Sequence, residues 1–261
     1  MRQFKNLLIL LGVKNLLNLS KYLFYIKEYI GFKKLLRKST KRFEMRFSEG
    51  KACLDDRTNN TTFDRHYVFH TAWAARCVAK INPNKHVDIS SSLYFCSIIS
   101  AFVPVDFFDY RPAELNLTQL KSKKGDLLSL PLKNNSVQSL SCMHVVEHIG
   151  LGRYGDPFDP EGDIKAIFEL QRVVEIGGSL LFVVPMGEKS KIMYNAHRIY
   201  NYDQVIGYFP KYELVEFSVI PEDSKGGGII NFASKNDLIG SEYACGCFWF
   251  KKQSQEEYYE M

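Results

Sequence analysis

The sequence predicts an α/β fold: a doubly wound, mostly parallel sheet of seven strands, preceded by a basic helical extension. Three observations predict it. From Tyr67 onward, short apolar runs alternate with stretches of helical periodicity, the pattern of strands joined by helical crossovers. The run Ser179–Pro185 (SLLFVVP) is apolar throughout, as in a strand buried on both faces. The first 46 residues carry twelve Lys or Arg against Glu28 and Glu44, a local net of +10 that leaves about −5 on the remainder.

Residues 1–46 read as a basic amphipathic extension of two helical stretches broken near Gly12 and Gly31. Leu16, Leu17, Leu19, Leu23, Phe24, Ile26, Tyr29 and Ile30 recur at roughly helical spacing with lysines between them. Such a surface suits the anionic inner face of a membrane, or packing on its own domain, or a second copy in a homodimer. Residues 47–65 are polar and rich in turn formers, which reads as a linker. The α/β domain spans 66–252 and opens with a helix over Tyr67–Ile81, stopped at Asn82-Pro83-Asn84. A strand at His86–Ile89 follows, then the continuation of a helix at Ile98–Phe102 and a strand at Pro104–Phe108. Leu120–Asp126 and Val137–Cys142 supply the third and fourth strands. Asp163–Val174 has an amphipathic period and is stopped by a Gly177-Gly178 turn before the fifth strand, Ser179–Pro185. A helix over Tyr202–Phe209 leads to a late strand pair, Leu214–Ile220 and Tyr243–Phe250. Gly226-Gly227-Gly228 reads as a flexible connection, and no Lys-Ser/Thr follows it to make a phosphate loop. Residues 253–261 form an acidic, frayed tail.

Composition narrows the function classes. With 261 residues, 46% hydrophobic and 14% aromatic, the chain supports a large packed core and does not read as disordered. An acidic body argues against nucleic acid as partner. The six cysteines stand mostly in apolar runs and lack the paired spacing of a zinc site, so no metal is expected and a reduced cytoplasmic setting is, peripheral at the inner membrane face where the arm docks. No run approaches the roughly 20 apolar residues of a membrane span. Leu7–Val13 is short for a signal peptide and no cleavage site follows it.

Mostly parallel sheets place their sites outside the carboxyl ends of the strands. Asp88, Asp109 and Asp126 close the first three strands, and His144, Glu147 and His148 follow the fourth. Aspartate is a common cap, so each alone says little; their ordered recurrence says more. Asp109, 21 residues beyond Asp88, has the spacing of an acid that accepts ribose hydroxyls. Arg153, Tyr154 and Asp156 lie in a glycine-rich loop (150–163) and are candidate substrate contacts. Arg153 reads either as a bidentate clamp for phosphate or carboxylate, or as a surface arginine paired with its own loop. Asn195 and Arg198, in Asn195-Ala196-His197-Arg198, are further candidates: His197 and Arg198 read as base and anion anchor, or the segment as an N-cap and solvated helix face. For proton transfer the candidates are His144, His148 and His197, with Glu147 as the orienting carboxylate. In its Val-Glu-His-Ile run, His148 also reads as a packed or capping residue.

The segment Asp88–Pro185, above all GDLLSLPLKNNSVQSLSCMHVVEHI followed by ELQRVVEIGGSLLFVVP, resembles the class I S-adenosylmethionine methyltransferases. CLDDRT, FDRHY, WAAR, HVDISS, HVVEHIGLGRYGDPFDPEG and NAHR resemble, over roughly residues 53–220, a narrower family of unknown function (DUF268). That family is named after nematode members and is often associated with bacterial surface-polysaccharide gene clusters. The resemblance implies a Rossmann-like sheet of the methyltransferase type and S-adenosylmethionine as cofactor. Asp109 would then take the ribose hydroxyls and Asp126, beside Leu127, the adenine amino group. The Asp88-Ile89-Ser90-Ser91-Ser92 turn would face the methionine moiety. Methyltransferases usually carry glycines in that turn, so Ser90 and Ser92 either crowd the cofactor or donate to its carboxylate. The implied activity is methyl transfer to a hydroxyl or similar group of a sugar, nucleotide-sugar or glycan intermediate. The alternative is a catalytically degenerate module that scaffolds surface-glycan assembly.

Overall fold

A computed structural model describes residues 13–39, 42–223, 225 and 227–254, with side chains from Leu19 onward. The predicted break at Gly12, Gly226 of the triple glycine and tail residues 255–261 lie outside the described residues. The chain divides into two compact units at Phe63/Asp64.

In the first unit, helix α1 (Val13–Leu36) runs through Gly31 without the predicted break. Gly31 costs helix propensity, roughly 1 kcal/mol against alanine, but one glycine does not stop a 24-residue helix. Residues 47–63 are tied to α1 and are not a free linker. Lys21 pairs with Asp55, Arg57 donates to Glu28 at 2.7 Å, and the Arg57 guanidinium lies 4.9 Å from the Phe24 ring centroid.

The second unit opens on α2 (Arg65–Ile81). Asp64 caps it by accepting the Tyr67 N–H at 3.1 Å, and Asn82 ends it in the left-handed conformation. Strands β1 (His86–Ile89), β2 (Val105–Asp109), β3 (Leu120–Lys124), β4 (Val137–Met143) and β5 (Val174–Met186) run parallel. The short helix α3 (Leu93–Ile99) follows β1 and ends three residues before the predicted Phe102; α4 (Gly162–Val173) precedes β5. After the hairpin β6 (Lys191–Met193) and β7 (His197–Ile199) come α5 (Tyr202–Tyr208), β8 (Tyr212–Ile220) and β9 (Ala244–Lys252). The main sheet has the order β3-β2-β1-β4-β5-β9-β8, with β9 antiparallel to both neighbours, which is the expected doubly wound, mostly parallel seven-stranded sheet.

Three local expectations change. Gly177-Gly178 lies inside a strand: β5 begins at Val174, and between the pairs Val137↔Val174 and Ser139↔Ser179 it holds four residues against one on β4. Gly177, at φ 78°, takes the left-handed turn that this bulge requires. The third strand stops at Lys124, because Asp126 turns the chain by accepting the Leu128 N–H at 2.9 Å. Residues 195–198 belong to the β6–β7 hairpin, so neither an N-cap nor a helix face is there.

Both sheet faces are covered. Leu180, Phe182 and Val184 of β5 join one core with Ala166, Ile167 and Leu170 of α4 and Phe248 and Phe250 of β9. The intervening Leu181 and Val183 join the other, with Trp73, Cys77 and Val78 of α2 and Phe95 and Ile99 of α3. Each such large side chain contributes roughly 1.5–3 kcal/mol by leaving water. The parallel pairing of β1 to β5 sets their carboxyl ends along one edge.

Candidate functional site

Along that edge the β1 turn comes first. Asp88 is fully buried; its carboxylate accepts the Ser91 N–H at 3.0 Å and the Ser141 hydroxyl. Ser141 also meets Nε2 of His86 at 2.8 Å, and Ser139 meets its Nδ1 at 2.8 Å. Strand alternation explains the group, since His86 and Asp88 share one face of β1 and Ser139 and Ser141 the same face of β4. Burial pushes the Asp88 carboxyl up to about 6. Asp88 therefore fixes the turn from beneath. Ser90 stands in the left-handed region at φ 53°, where glycine is usual, and its hydroxyl folds back onto the Phe108 carbonyl at 3.2 Å. Ser92 heads α3 without a side-chain capping bond.

On the neighbouring strand ends, Asp109 accepts the Arg111 N–H at 2.7 Å through Oδ1, and Asp126 engages Leu128 in the same way. Each keeps its second carboxylate oxygen free of bonds among the described residues, and Leu127, next to Asp126 in the chain, is buried. An acceptor pair on adjacent strand ends, with a polar left-handed turn on β1, suits the ribose, adenine and amino-acid groups of S-adenosylmethionine. These acceptors and the hydroxyl-bearing turn suit that cofactor.

Beyond β4 lies a histidine cluster. His144, in the left-handed region at φ 57°, swings the chain into a short 3₁₀ turn, Val146–His148. Its Nδ1 lies 2.9 Å from Oε1 of the buried Glu147 and its Nε2 lies 3.4 Å from the Cys245 sulfur. Burial disfavours charge on His144, Cys245 and Glu147 favour it, and the direction is upward, with the Glu147 carboxylate the cause we assign. Burial pushes the Cys245 thiol well up. Glu147 Oε2 is buried without a partner. From α2, one turn apart, come His66 and His70, whose rings lie 5.5 and 5.1 Å from that of His144. Burial lowers His66 to about 4 and lowers His70 well below the usual range.

His148 is half-buried. Its Nδ1 lies 2.7 Å from the Ala196 carbonyl, which only accepts, so Nδ1 carries the proton and Nε2 is left with a lone pair. Nε2 stands 3.8 Å from Glu147 Oε1, and burial lowers the His148 pKa. The His197 ring lies 6.3 Å from that of His148 and 5.2 Å from that of Tyr243. The structure thus brings His144, Glu147, His148 and His197 near one another, and adds His66, Tyr67, His70, Tyr243 and Cys245. Two signals for the additions were present: the i, i+4 histidines of RHYVFH on a helix, and the thiol that opens the last strand.

The loop residues divide by role. Arg153 donates to the Ala196 carbonyl at 2.9 Å, and its guanidinium lies 5.2 Å from the exposed Tyr154 ring, with Arg111 at 5.6 Å. Asp156 instead accepts three N–H groups of its own loop, Gly150 at 2.7 Å, Tyr154 at 3.2 Å and Gly152 at 3.3 Å, which makes it a loop-former. Arg198 is a buried strut: it donates to the carbonyls of Ile149 (2.7 Å), Pro160 (3.1 Å) and Asp159 (3.3 Å), and its Nε lies 3.5 Å from Asp163. As an anion anchor it is spent. Asn195 is exposed in the hairpin turn. A cavity of ≈ 380 Å³ opens at the opposite, amino edge of the sheet, lined by Gln138, Ser179 and Trp249, and none of the predicted site residues reaches it.

Residues 132–223 match the family described as "Caenorhabditis protein of unknown function, DUF268". VEHIGLGRYGDP and NAHR fall within the match; CLDDRT, FDRHY, WAAR and HVDISS precede it. No curated protein matches the chain. Among solved structures, a Haloferax volcanii complex of the Trm112 methyltransferase activator with a methyltransferase matches at TM-score 0.50 and 14% identity, over 73% of this chain and 92% of that one. The 1,6-didemethyltoxoflavin-N1-methyltransferase of Burkholderia thailandensis, solved with its substrate and S-adenosylhomocysteine, matches at TM-score 0.51 and 7% identity, over 71% and 79%. A Galdieria sulphuraria protein described as a sarcosine dimethylglycine methyltransferase matches at 0.50 and 14%, over 70% and 85%. Such identities speak for the fold. The family resemblance read from the sequence is met over residues 132–223, which match the DUF268 family, and the sheet has the α/β fold of these methyltransferase structures.

Proposed function

We propose that the protein is an S-adenosylmethionine-dependent methyltransferase acting on a hydroxyl or similar nucleophile of a sugar, nucleotide-sugar or glycan intermediate. One observation carries the reading. Asp109 and Asp126 present free carboxylate oxygens on adjacent strand ends, while His148, in the 3₁₀ turn after β4, directs Nδ1 at the Ala196 carbonyl and leaves Nε2 for an acceptor hydroxyl. The methyltransferase fold, and a similar fold solved with S-adenosylhomocysteine, support the cofactor class. The cofactor supplies an electrophilic methyl group. The chain supplies position and a proton acceptor: Asp109 and Asp126 would hold the cofactor, and His148 Nε2 would take the proton of the acceptor hydroxyl while the methyl group leaves the cofactor's sulfur, which departs as the thioether S-adenosylhomocysteine. The sugar class rests on the gene-cluster association of the resembling family. The exposed Tyr154 ring, flanked by Arg111 and Arg153, suits a sugar that carries phosphate.

Calorimetric titration with S-adenosylmethionine and S-adenosylhomocysteine tests the reading. One-site binding that Asp109→Ala abolishes while the fold persists is expected. Undiminished affinity in that variant overturns the ribose assignment. No binding by folded wild-type protein favours the scaffolding module, for which Ser90 in the glycine position is the supporting observation.

A further inference from the structure

We propose that His66, His144 and Cys245 form a binding site for a divalent transition-metal ion of the zinc type. One ligand atom from each lies within 4.8 Å of the other two, and all three residues are buried. They come from three elements, α2, the end of β4 and the start of β9, which the packed sheet edge holds together. Two imidazoles and a thiolate are the borderline-soft donors that select zinc-like ions over magnesium or calcium. Three protein ligands leave a fourth coordination position open.

The surroundings are those of a metal site. Glu147 binds His144 Nδ1 at 2.9 Å, the carboxylate–histidine arrangement that fixes a ligand's ring and raises its basicity. That bond leaves His144 Nε2 to face the sulfur at 3.4 Å. His70, fully buried against the His144 ring, has neither ring nitrogen bonded among the described residues. Buried polar atoms without partners are uncommon, and His70 adds a further imidazole beside the three. Binding needs the Cys245 thiolate and an unprotonated His144 Nε2, so the protons those two atoms carry are released to solvent and no other covalent bond changes. The inference is independent of methyl transfer.

The test titrates the full-length, metal-stripped protein with Co²⁺ and then Zn²⁺, following absorption and proton release. Expected are one equivalent of Co²⁺, a thiolate-to-cobalt charge-transfer band, displacement by Zn²⁺, and a melting temperature that rises with metal. Cys245→Ser should remove the band, and His66→Gln should weaken binding by about 100-fold or more. Glu147→Gln should keep the band and weaken binding by roughly 10–100-fold. A folded wild-type protein without the band overturns the proposal, and this holds even where a variant fails to fold. So does a band that survives in Cys245→Ser, which assigns the metal to another cysteine such as the exposed Cys53. S-adenosylmethionine binding in the same preparation reports on the methyltransferase reading separately.

Discussion

Asp88 shows how a single buried acid couples the site to stability. Its carboxyl sits at about 6 when folded, against an ordinary 3.8, because burial penalises the charge. A raised acid pKa means that stability is lost as pH climbs from about 4 to about 6 and stays lost above. Asp88→Asn removes that loss. Its unfolding free energy relative to wild type should rise by about 3 kcal/mol between pH 4 and pH 7, measured by urea denaturation. A difference that does not change with pH would mean that Asp88 is not held as a buried acid. His148 makes the kinetic counterpart. Burial lowers its pKa, so methyl transfer should fall with acid at a lower pH than an ordinary imidazole base would give. His148→Ala should cost roughly 10²–10⁴-fold in kcat with cofactor affinity retained. Equal activity in the variant would move the base elsewhere.

Among the elements, the loop between the 3₁₀ turn and α4 is held by its own chain. Gly150, at φ 80°, passes so close to Asp159 that an added Cβ would meet its carbonyl oxygen at 2.0 Å, and the Asp159 N–H donates to the Gly150 carbonyl at 3.0 Å. Gly150→Ala should therefore loosen the loop, costing about 1–3 kcal/mol, and speed limited proteolysis at Arg153 and Tyr154. An unchanged melting temperature and cleavage pattern would count against this closure. Arg198 cross-braces the same loop from β7. The motif GLGRYGDPFDPEG displayed its glycines and acids openly in sequence, yet which acid was structural was not legible there. Asp156 and Arg198 were spent on backbone groups only once the hairpin and loop met.

At the scale of the molecule, burial holds His66, His70, His86, His148 and His197 below their ordinary range, while Glu147 raises His144. Unfolded, the lowered group protonates near 6.5. A depressed base pKa means that its stability is present above that value and lost as pH falls toward the folded value, about 4 for His66. The metal-free protein should then lose stability steeply between pH 6.5 and 4, by up to about 1.4 kcal/mol per pH unit for each such histidine. A urea midpoint that holds steady from pH 7 to pH 5 would contradict the buried, neutral cluster. Among the described residues no helix is long and apolar enough to cross a membrane.

Alternating apolar runs determined the sheet, its seven strands and its direction from sequence alone, because a strand buried on both faces cannot hide its composition. The same reading placed Asp109, Asp126, His144, Glu147 and His148 at strand ends, since a parallel sheet fixes which ends face the site. Only the tertiary structure decided that His66, His70 and Cys245 join them, because Cys245 lies 101 residues from His144 in the chain. It also decided that Gly177-Gly178 bulges a strand instead of ending a helix. Spacing along the chain reports local geometry. Packing α2 against β9 and the β4 edge is what brings distant imidazoles and a thiol within bonding reach of one another.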